Sequence, residues 1–205
     1  MSARRVSNGD LAGLIAEAAA GRERYTVAIA GAPGAGKSTL AAGLARTLGG
    51  RAVVVPMDGF HLDNAILEAR GLMAVKGAPE TFDVAGFAAL LGRLATEDAV
   101  AIPVFDRAAD LSRAGAAIVS TATPIRIVEG NYLLIDRPGW RSLRPHFDLA
   151  VILDVPEAEL ERRLVQRWLA HGLDPQAARS RALGNDIPNA RLVAAESSGA
   201  DLIVS

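Results

Sequence analysis

The chain has 205 residues with 22 Lys and Arg against 23 Asp and Glu, no cysteine, and half of its residues hydrophobic. A formal charge of −1 supplies no broad electrostatic surface for nucleic acid or an anionic membrane, and the lack of cysteine excludes disulfides and thiolate metal sites. No run approaches the roughly 18 apolar residues of a membrane span. The stretch that follows Met1-Ser2-Ala3-Arg4-Arg5 is amphipathic and interrupted by Glu17, unlike the continuous apolar core of a signal peptide, so a cytoplasmic protein with one domain over 1–205 is expected.

In chain order, residues 8–20 read as a helix capped by Ser7 or Asn8. An apolar run at 25–30 leads into Gly31-Ala32-Pro33-Gly34-Ala35-Gly36-Lys37-Ser38, and a helix continues to about Leu48, stopped by Gly49-Gly50. Gly, any four residues, then Gly-Lys-Ser between a strand and a helix is the pattern of a phosphate-binding loop. Its glycines let backbone N–H groups turn around a polyphosphate, and the helix N-terminus adds its positive end. Lys37 reaches the β- and γ-phosphates and the Ser38 hydroxyl ligates Mg²⁺. The alternative is a Gly-rich turn that only caps a helix; the flanking strand and helix favour the loop. Nucleoside triphosphate binding is therefore expected at Gly31, Ala32, Pro33, Gly34, Ala35, Gly36, Lys37, Ser38 and Thr39.

Beyond the loop, a strand at 52–55 ends at Pro56-Met57-Asp58, and a helix over about 62–70 precedes an irregular stretch through Pro79. The loop region 70–83 is expected to be mobile or to face a substrate. A helix near 84–96 is followed by a minor strand at 100–104, buried strands at 125–128 and 149–153, and a helix from Pro156 to about His171. Helices at 175–184 and 189–197 and a last strand at 202–204 complete the series. The alternation predicts an α/β fold with a mostly parallel five-stranded sheet and helices on both faces.

Ligands of open α/β sheets bind outside the C-terminal ends of the strands, where Asp58, Asp106 and Glu129 stand. Glu129 ends a buried strand beside the phosphate loop, which suits Mg²⁺, with a capping or solvent-facing acid as the alternative. Asp58 could take the proton of an attacking hydroxyl or cap the helix that follows, and residue spacing leaves both open.

The phosphate loop, Pro56-Met57-Asp58-Gly59-Phe60-His61, Lys76-Gly77-Ala78-Pro79-Glu80-Thr81-Phe82-Asp83, Pro103-Val104-Phe105-Asp106-Arg107 and Val128-Glu129-Gly130-Asn131-Tyr132 together resemble one group of P-loop kinases. That group holds uridine kinase, bacterial pantothenate kinase and phosphoribulokinase, and the likeness is greatest to its small members assigned to fructose transport systems. The resemblance implies the P-loop nucleoside triphosphate hydrolase fold with a helical lid at about 157–190. It also implies an ATP-dependent, Mg²⁺-requiring phosphotransferase with an alcohol group as acceptor. By the same likeness Asp58 is the base or hydroxyl-orienting group and Glu129 the Mg²⁺-associated acid. His61, Asp83, Asp106 and Arg107 face the acceptor, and lid arginines, Arg163 first and then Arg167, close over the phosphates together with Lys37.

The stretch Phe105-Asp106-Arg107-Ala108-Ala109-Asp110-Leu111 lacks the pyrimidine-reading histidine of uridine kinases, against a uracil or cytosine acceptor, and the polar residues around Arg107 and Asp110 suit a hydroxyl-rich acceptor such as a fructose-like sugar or sugar derivative. Nucleoside or pantothenate phosphorylation is the alternative within the class. A regulatory or transport-associated ATPase without an acceptor is the alternative outside it, and an acceptor pocket built by Asp58, Asp83 and Asp106 would discriminate the two. Neither Asn-Lys-x-Asp nor Leu-Ser-Gly-Gly-Gln occurs, against a GTPase switch or a transporter ATPase. Homodimers are common among the related kinases, although no exposed apolar stripe in the sequence requires one here. Asn185, Asp186 and Asn189 could contact nucleotide or substrate or form a capping turn around Pro188, and the capping turn is the simpler reading.

Overall fold

The computed structural model describes residues 3–205; Met1 and Ser2, which entered the reading of the N-terminus, lie outside the described residues. The chain runs β1 (Arg4–Val6), α1 (Asn8–Ala18), β2 (Tyr25–Gly31), α2 (Lys37–Leu48), β3 (Ala52–Pro56), α3 (Asn64–Ala69), α4 (Val84–Thr96), β4 (Ala99–Asp106) and β5 (Leu111–Ser120). It continues through β6 (Ile125–Gly130), β7 (Leu149–Leu153), α5 (Glu157–Ala170), α6 (Pro175–Arg181), α7 (Ile187–Glu196) and β8 (Leu202–Val204).

The main sheet has the order β1-β8-β7-β2-β6-β3, and every pairing in it is parallel. The α/β class is as expected, with six strands in the sheet instead of five. The extra strand is β1, an edge of three residues whose register is set by β8 at the far end of the chain (Arg4 opposite Leu202), so no local pattern announces it. The expected minor strand is one arm of a separate antiparallel hairpin, β4 with β5. Its second arm is rich in small residues, carries Gly115, and is largely exposed, so it shows no apolar alternation.

Both faces of the sheet are covered. Phe87, Leu90 and Leu94 of α4 and Val193 of α7 meet Ala28, Val128 and Ala150 on one face, while Leu11 and Ile15 of α1 and Ala41 and Leu44 of α2 meet Val27, Ile29 and Ile127 on the other. A third apolar cluster joins Leu160 and Leu164 of α5 and Ile187 of α7 to Ala32 and Ala35 of the phosphate loop, fixing these helices against the back of the loop. No helix among the described residues is long and apolar enough to cross a membrane.

A short 3₁₀ turn, Met57–Phe60, follows β3 and carries Asp58. Gly59 lies so close to the hairpin that a Cβ there would sit 2.5 Å from the Pro103 carbonyl oxygen. Backbone cannot yield as a side chain can, so Gly59→Ala is expected to lower stability by about 1–3 kcal/mol and to displace Asp58. Urea unfolding of the variant measures the first effect.

Candidate active site

The phosphate loop takes its shape from two glycines. Gly34 (φ 81°) and Gly36 (φ 96°) occupy the left-handed region, and a Cβ on Gly34 would meet Leu164 Cγ at 3.0 Å. Lys37, the first residue of α2, is buried and donates from Nζ to the Ala32 carbonyl at 2.9 Å, so its ammonium folds back over the loop. Burial lowers the pKa of Lys37 to about 8 against the opposing pull of Glu129 and Asp58. A polyphosphate beside it would keep the ammonium charged to higher pH.

Glu129, at the end of β6, is buried, and its Oε2 accepts from the Ser38 hydroxyl at 3.2 Å. Burial and the neighbouring Asp58 raise its pKa above the ordinary carboxylate value, against Lys37 and the Ser38 hydrogen bond. Ser38 and Glu129 thus bring a hydroxyl and a carboxylate together beside the loop. These hard oxygen donors fit Mg²⁺, which uses one or two carboxylates and completes its shell with phosphate and water. No cluster of three acidic or histidine side chains with ligand geometry occurs among the described residues, and such an ion does not require one.

One cavity of about 210 Å³ opens from the loop. Pro33, Gly34, Lys37, Ser38 and Glu129 line one side of it, and Asp58, His61, Lys76, Phe105, Arg107 and Asp110 also reach it. Asp58 Oδ2 accepts from Arg107 Nη2 at 3.0 Å. His61 sits between Phe82 (ring centroids 4.0 Å apart) and Phe105 (4.8 Å). Its buried Nδ1 has no hydrogen-bond partner, and burial lowers its pKa to about 4, outweighing Asp58.

A histidine neutral in the folded state but titrating near 6.5 when unfolded binds fewer protons folded between those values. Stability is therefore expected to fall as pH drops from 6.5 through 4, by up to about 3 kcal/mol. Denaturant unfolding at pH 7.5 and 4.5 checks this. In His61→Phe the share of the pH dependence that belongs to the imidazole should vanish.

Four expected site residues stand elsewhere. Asp83 caps α4, its Oδ1 accepting from Gly86 N at 2.9 Å, and Asp106 accepts from Ala108 N and Ala109 N at 3.1 Å within the hairpin turn. Each carboxylate is claimed by backbone donors two or three residues downstream, so the convergence of Asp58, Asp83 and Asp106 does not occur; Asp110 reaches the cavity instead. Arg163 donates from Nε to Glu159 at 2.6 Å and from Nη1 to the Gly34 and Ala35 carbonyls, bracing the loop outside the cavity wall. Arg167, one turn on, does line the cavity, as do Arg107 and Arg181. Thr39 is exposed on the first turn of α2, away from the cavity wall.

For the far wall the sequence left ligand contact and a capping turn both open, and favoured the cap. Between α6 and α7 the backbone widens into a π-helical turn, Ala182–Asp186, which brings Asn185, Asp186 and Asn189 to the cavity in place of a cap. Trp168 Nε1 donates to Asp186 Oδ2 at 2.6 Å, and Asn185 Nδ2 donates to the Lys76 carbonyl at 3.0 Å. The only available signal was the Asn185-Asp186-Ile187-Pro188-Asn189 run itself, since π turns often accompany functional sites.

An α/β fold with a phosphate loop at the end of its central strand, facing a carboxylate across one cavity, defines the class of P-loop phosphotransferases. Comparisons with known proteins agree. The fold and sequence match the putative fructose transport system kinase of Silicibacter sp. TM1040 at a TM-score of 0.92 and 51% identity, covering 97% of this chain and 98% of that one. An uncharacterized protein of Escherichia coli K12, YggC, is 37% identical over 89% of this chain and 78% of its own length. Putative uridine kinase C227.14 of Schizosaccharomyces pombe is 32% identical over 84% of this chain and 79% of its own length. No family model matches the chain. The chain belongs to the P-loop kinases that include the putative uridine kinase and the putative fructose transport system kinase named above.

Proposed function

We propose that this protein transfers the γ-phosphoryl group of ATP to a hydroxyl of a small metabolite, a sugar or sugar derivative of fructose type. One observation carries the proposal: Asp58 shares a cavity with Lys37, Ser38 and Glu129 of the phosphate-binding end. The reaction forms a bond from the acceptor oxygen to the γ-phosphorus and breaks the bond to the β–γ bridging oxygen, and ADP leaves. Asp58 orients the hydroxyl and receives its proton. Lys37 and Arg167 offset the charge that spreads over the equatorial oxygens. Ser38 and Glu129 would hold Mg²⁺, which neutralises phosphate charge when bound. Catalysis in this scheme rests on positioning and preorganised charge.

Helices α5 to α7, about 157–190, act as the lid in this reading, and 1–205 as a single kinase domain. The fructose transport name of the Silicibacter relative supports a sugar, and the uridine kinase name of the yeast relative supports a nucleoside. The separation of Asp83 and Asp106 from Asp58 is the observation that favours an ATPase without an acceptor, while Asp110 and His61 beside Asp58 favour an acceptor pocket. Measuring ADP release from ATP and Mg²⁺ across free sugars, sugar alcohols, nucleosides and pantothenate separates these. Acceptor-dependent release is expected with a sugar or sugar alcohol, and release indifferent to every acceptor would overturn the kinase.

A further inference from the structure

The cations around the cavity divide by what neutralises them. Lys37, Arg167 and Arg181 have no carboxylate within salt-bridge distance among the described residues. Lys37 donates to the Ala32 carbonyl, and Arg181 donates to the Ala74 carbonyl and stacks 5.4 Å from the Trp168 ring. Arg107 and Lys76 instead each own a carboxylate: Arg107 Nη2 lies 3.0 Å from Asp58 Oδ2, and Lys76 Nζ lies 2.9 Å from Asp110 Oδ2. The unpaired set suits a polyphosphate. The paired set offers donors and acceptors with no net charge.

The second pair is built at some cost. The Lys76 side chain is only 10% exposed, so an unpartnered ammonium there would be strongly disfavoured. Asp110 reaches it from a left-handed backbone (φ 52°), the one positive-φ residue other than glycine among the described residues. Asn64 completes the arrangement, accepting from Lys76 Nζ at 2.6 Å and donating to Asp110 Oδ2 at 3.3 Å. Burial would raise the Asp110 pKa, but the hydrogen bonds from Lys76 and Asn64 outweigh it and keep the group ionised. Phe105 lies beneath this pair, 5.3 Å from Lys76 Nζ, and its ring is followed by those of His61 and Phe82. Apolar ring faces beside neutralised polar groups match a molecule with C–H faces and hydroxyl edges.

Resting on the kinase reading above, we propose that the acceptor is an uncharged polyol or monosaccharide, and that the Asp110–Lys76 pair excludes acceptors bearing a carboxylate or phosphate. A hydroxyl can bond to either member of the pair without separating them. An anionic group must either face Asp58 and Asp110 or take Lys76 from Asp110, leaving a carboxylate unpaired at a partly buried site. Exclusion by repulsion, more than attraction of the right molecule, sets the specificity.

The test compares kcat/KM for matched pairs (glycerol with glycerate, sorbitol with gluconate, fructose with fructose 6-phosphate) in the wild type, Asp110→Asn and Asp110→Asn/Lys76→Met. Asparagine tolerates the left-handed backbone and removes only the charge. The neutral member of a pair is expected to be favoured at least about tenfold by the wild type, and that preference to fall at least about tenfold in Asp110→Asn, mainly through KM. The shift should disappear in the double variant, with ATP affinity unchanged throughout. A wild type that prefers the charged member, or an unchanged preference in Asp110→Asn, overturns the proposal. If no acceptor is phosphorylated, the kinase reading fails by itself, and calorimetric binding of the same pairs decides the subsite. Binding of a neutral member alone then supports the proposal; tighter binding of the charged member, or no binding of either, overturns it.

Discussion

Asp58→Asn is expected to lower acceptor-dependent turnover by about 10²–10⁴-fold while changing ATP affinity by less than about threefold. Asparagine keeps the size of the side chain and still accepts from Arg107 Nη2, so the 3₁₀ turn and the hairpin contact survive. What disappears is a carboxylate able to receive the acceptor proton. The loss should fall on kcat more than on KM, because the amide still occupies the place beside the hydroxyl. Full activity in the variant would remove Asp58 from the chemistry and leave its pairing with Arg107 as its role.

Lys37→Met is expected to cost about 10²–10³-fold in kcat/KM, with most of the loss in kcat. Methionine has a similar length and no charge, and the position is buried, so the variant should fold at least as well as the wild type. In the free protein the Lys37 ammonium is held by one backbone carbonyl and no carboxylate, which leaves it free to follow the phosphoryl group. Its lowered pKa adds a signature: as pH rises above about 8, ATP affinity of the wild type should weaken, because a neutral amine must be protonated on binding. Lys37→Met should lack that inflection, its ATP affinity staying flat across the range. Stopped-flow and equilibrium binding of a fluorescent ATP analogue between pH 7 and 9.5 read both effects.

The parts of this molecule that were legible in the sequence are those whose determinants lie within a few residues. The β2–loop–α2 unit is dictated by an apolar run, three glycines and a lysine, and α1 begins at Ser7, whose hydroxyl accepts from Asp10 N as its position suggested. Strand β1 was invisible because its partner is some 200 residues away, and β5 because it pairs through backbone with little apolar pattern. The same distinction governs the site. Lys37, Ser38, Asp58 and Glu129 end strands or open a helix, positions that chain order reveals.

Asp83 and Asp106 also follow that rule, yet local N–H groups capture them first; an aspartate directly before a helix signals a cap, and that signal was the better guide to Asp83. Arg163 and Arg167 share a helical face, and Glu159, one turn before Arg163, decides which of the two is held away from the cavity. Lys76 and Asp110 could not be paired from sequence, because their meeting requires the hairpin tip to fold over the 70–83 loop.

Phosphoryl transfer to a hydroxyl is the claim on which the remaining assignments rest, and ³¹P NMR of the reaction tests it most directly. The protein is incubated with ATP, Mg²⁺ and a mixture of uncharged sugars and sugar alcohols, and the fate of the γ-phosphorus is followed. A phosphomonoester resonance rising in step with ADP, split by coupling to carbon-bound protons and absent in Asp58→Asn, is the predicted result. ADP accompanied only by orthophosphate, at a rate no acceptor changes, would contradict the account and identify an ATPase.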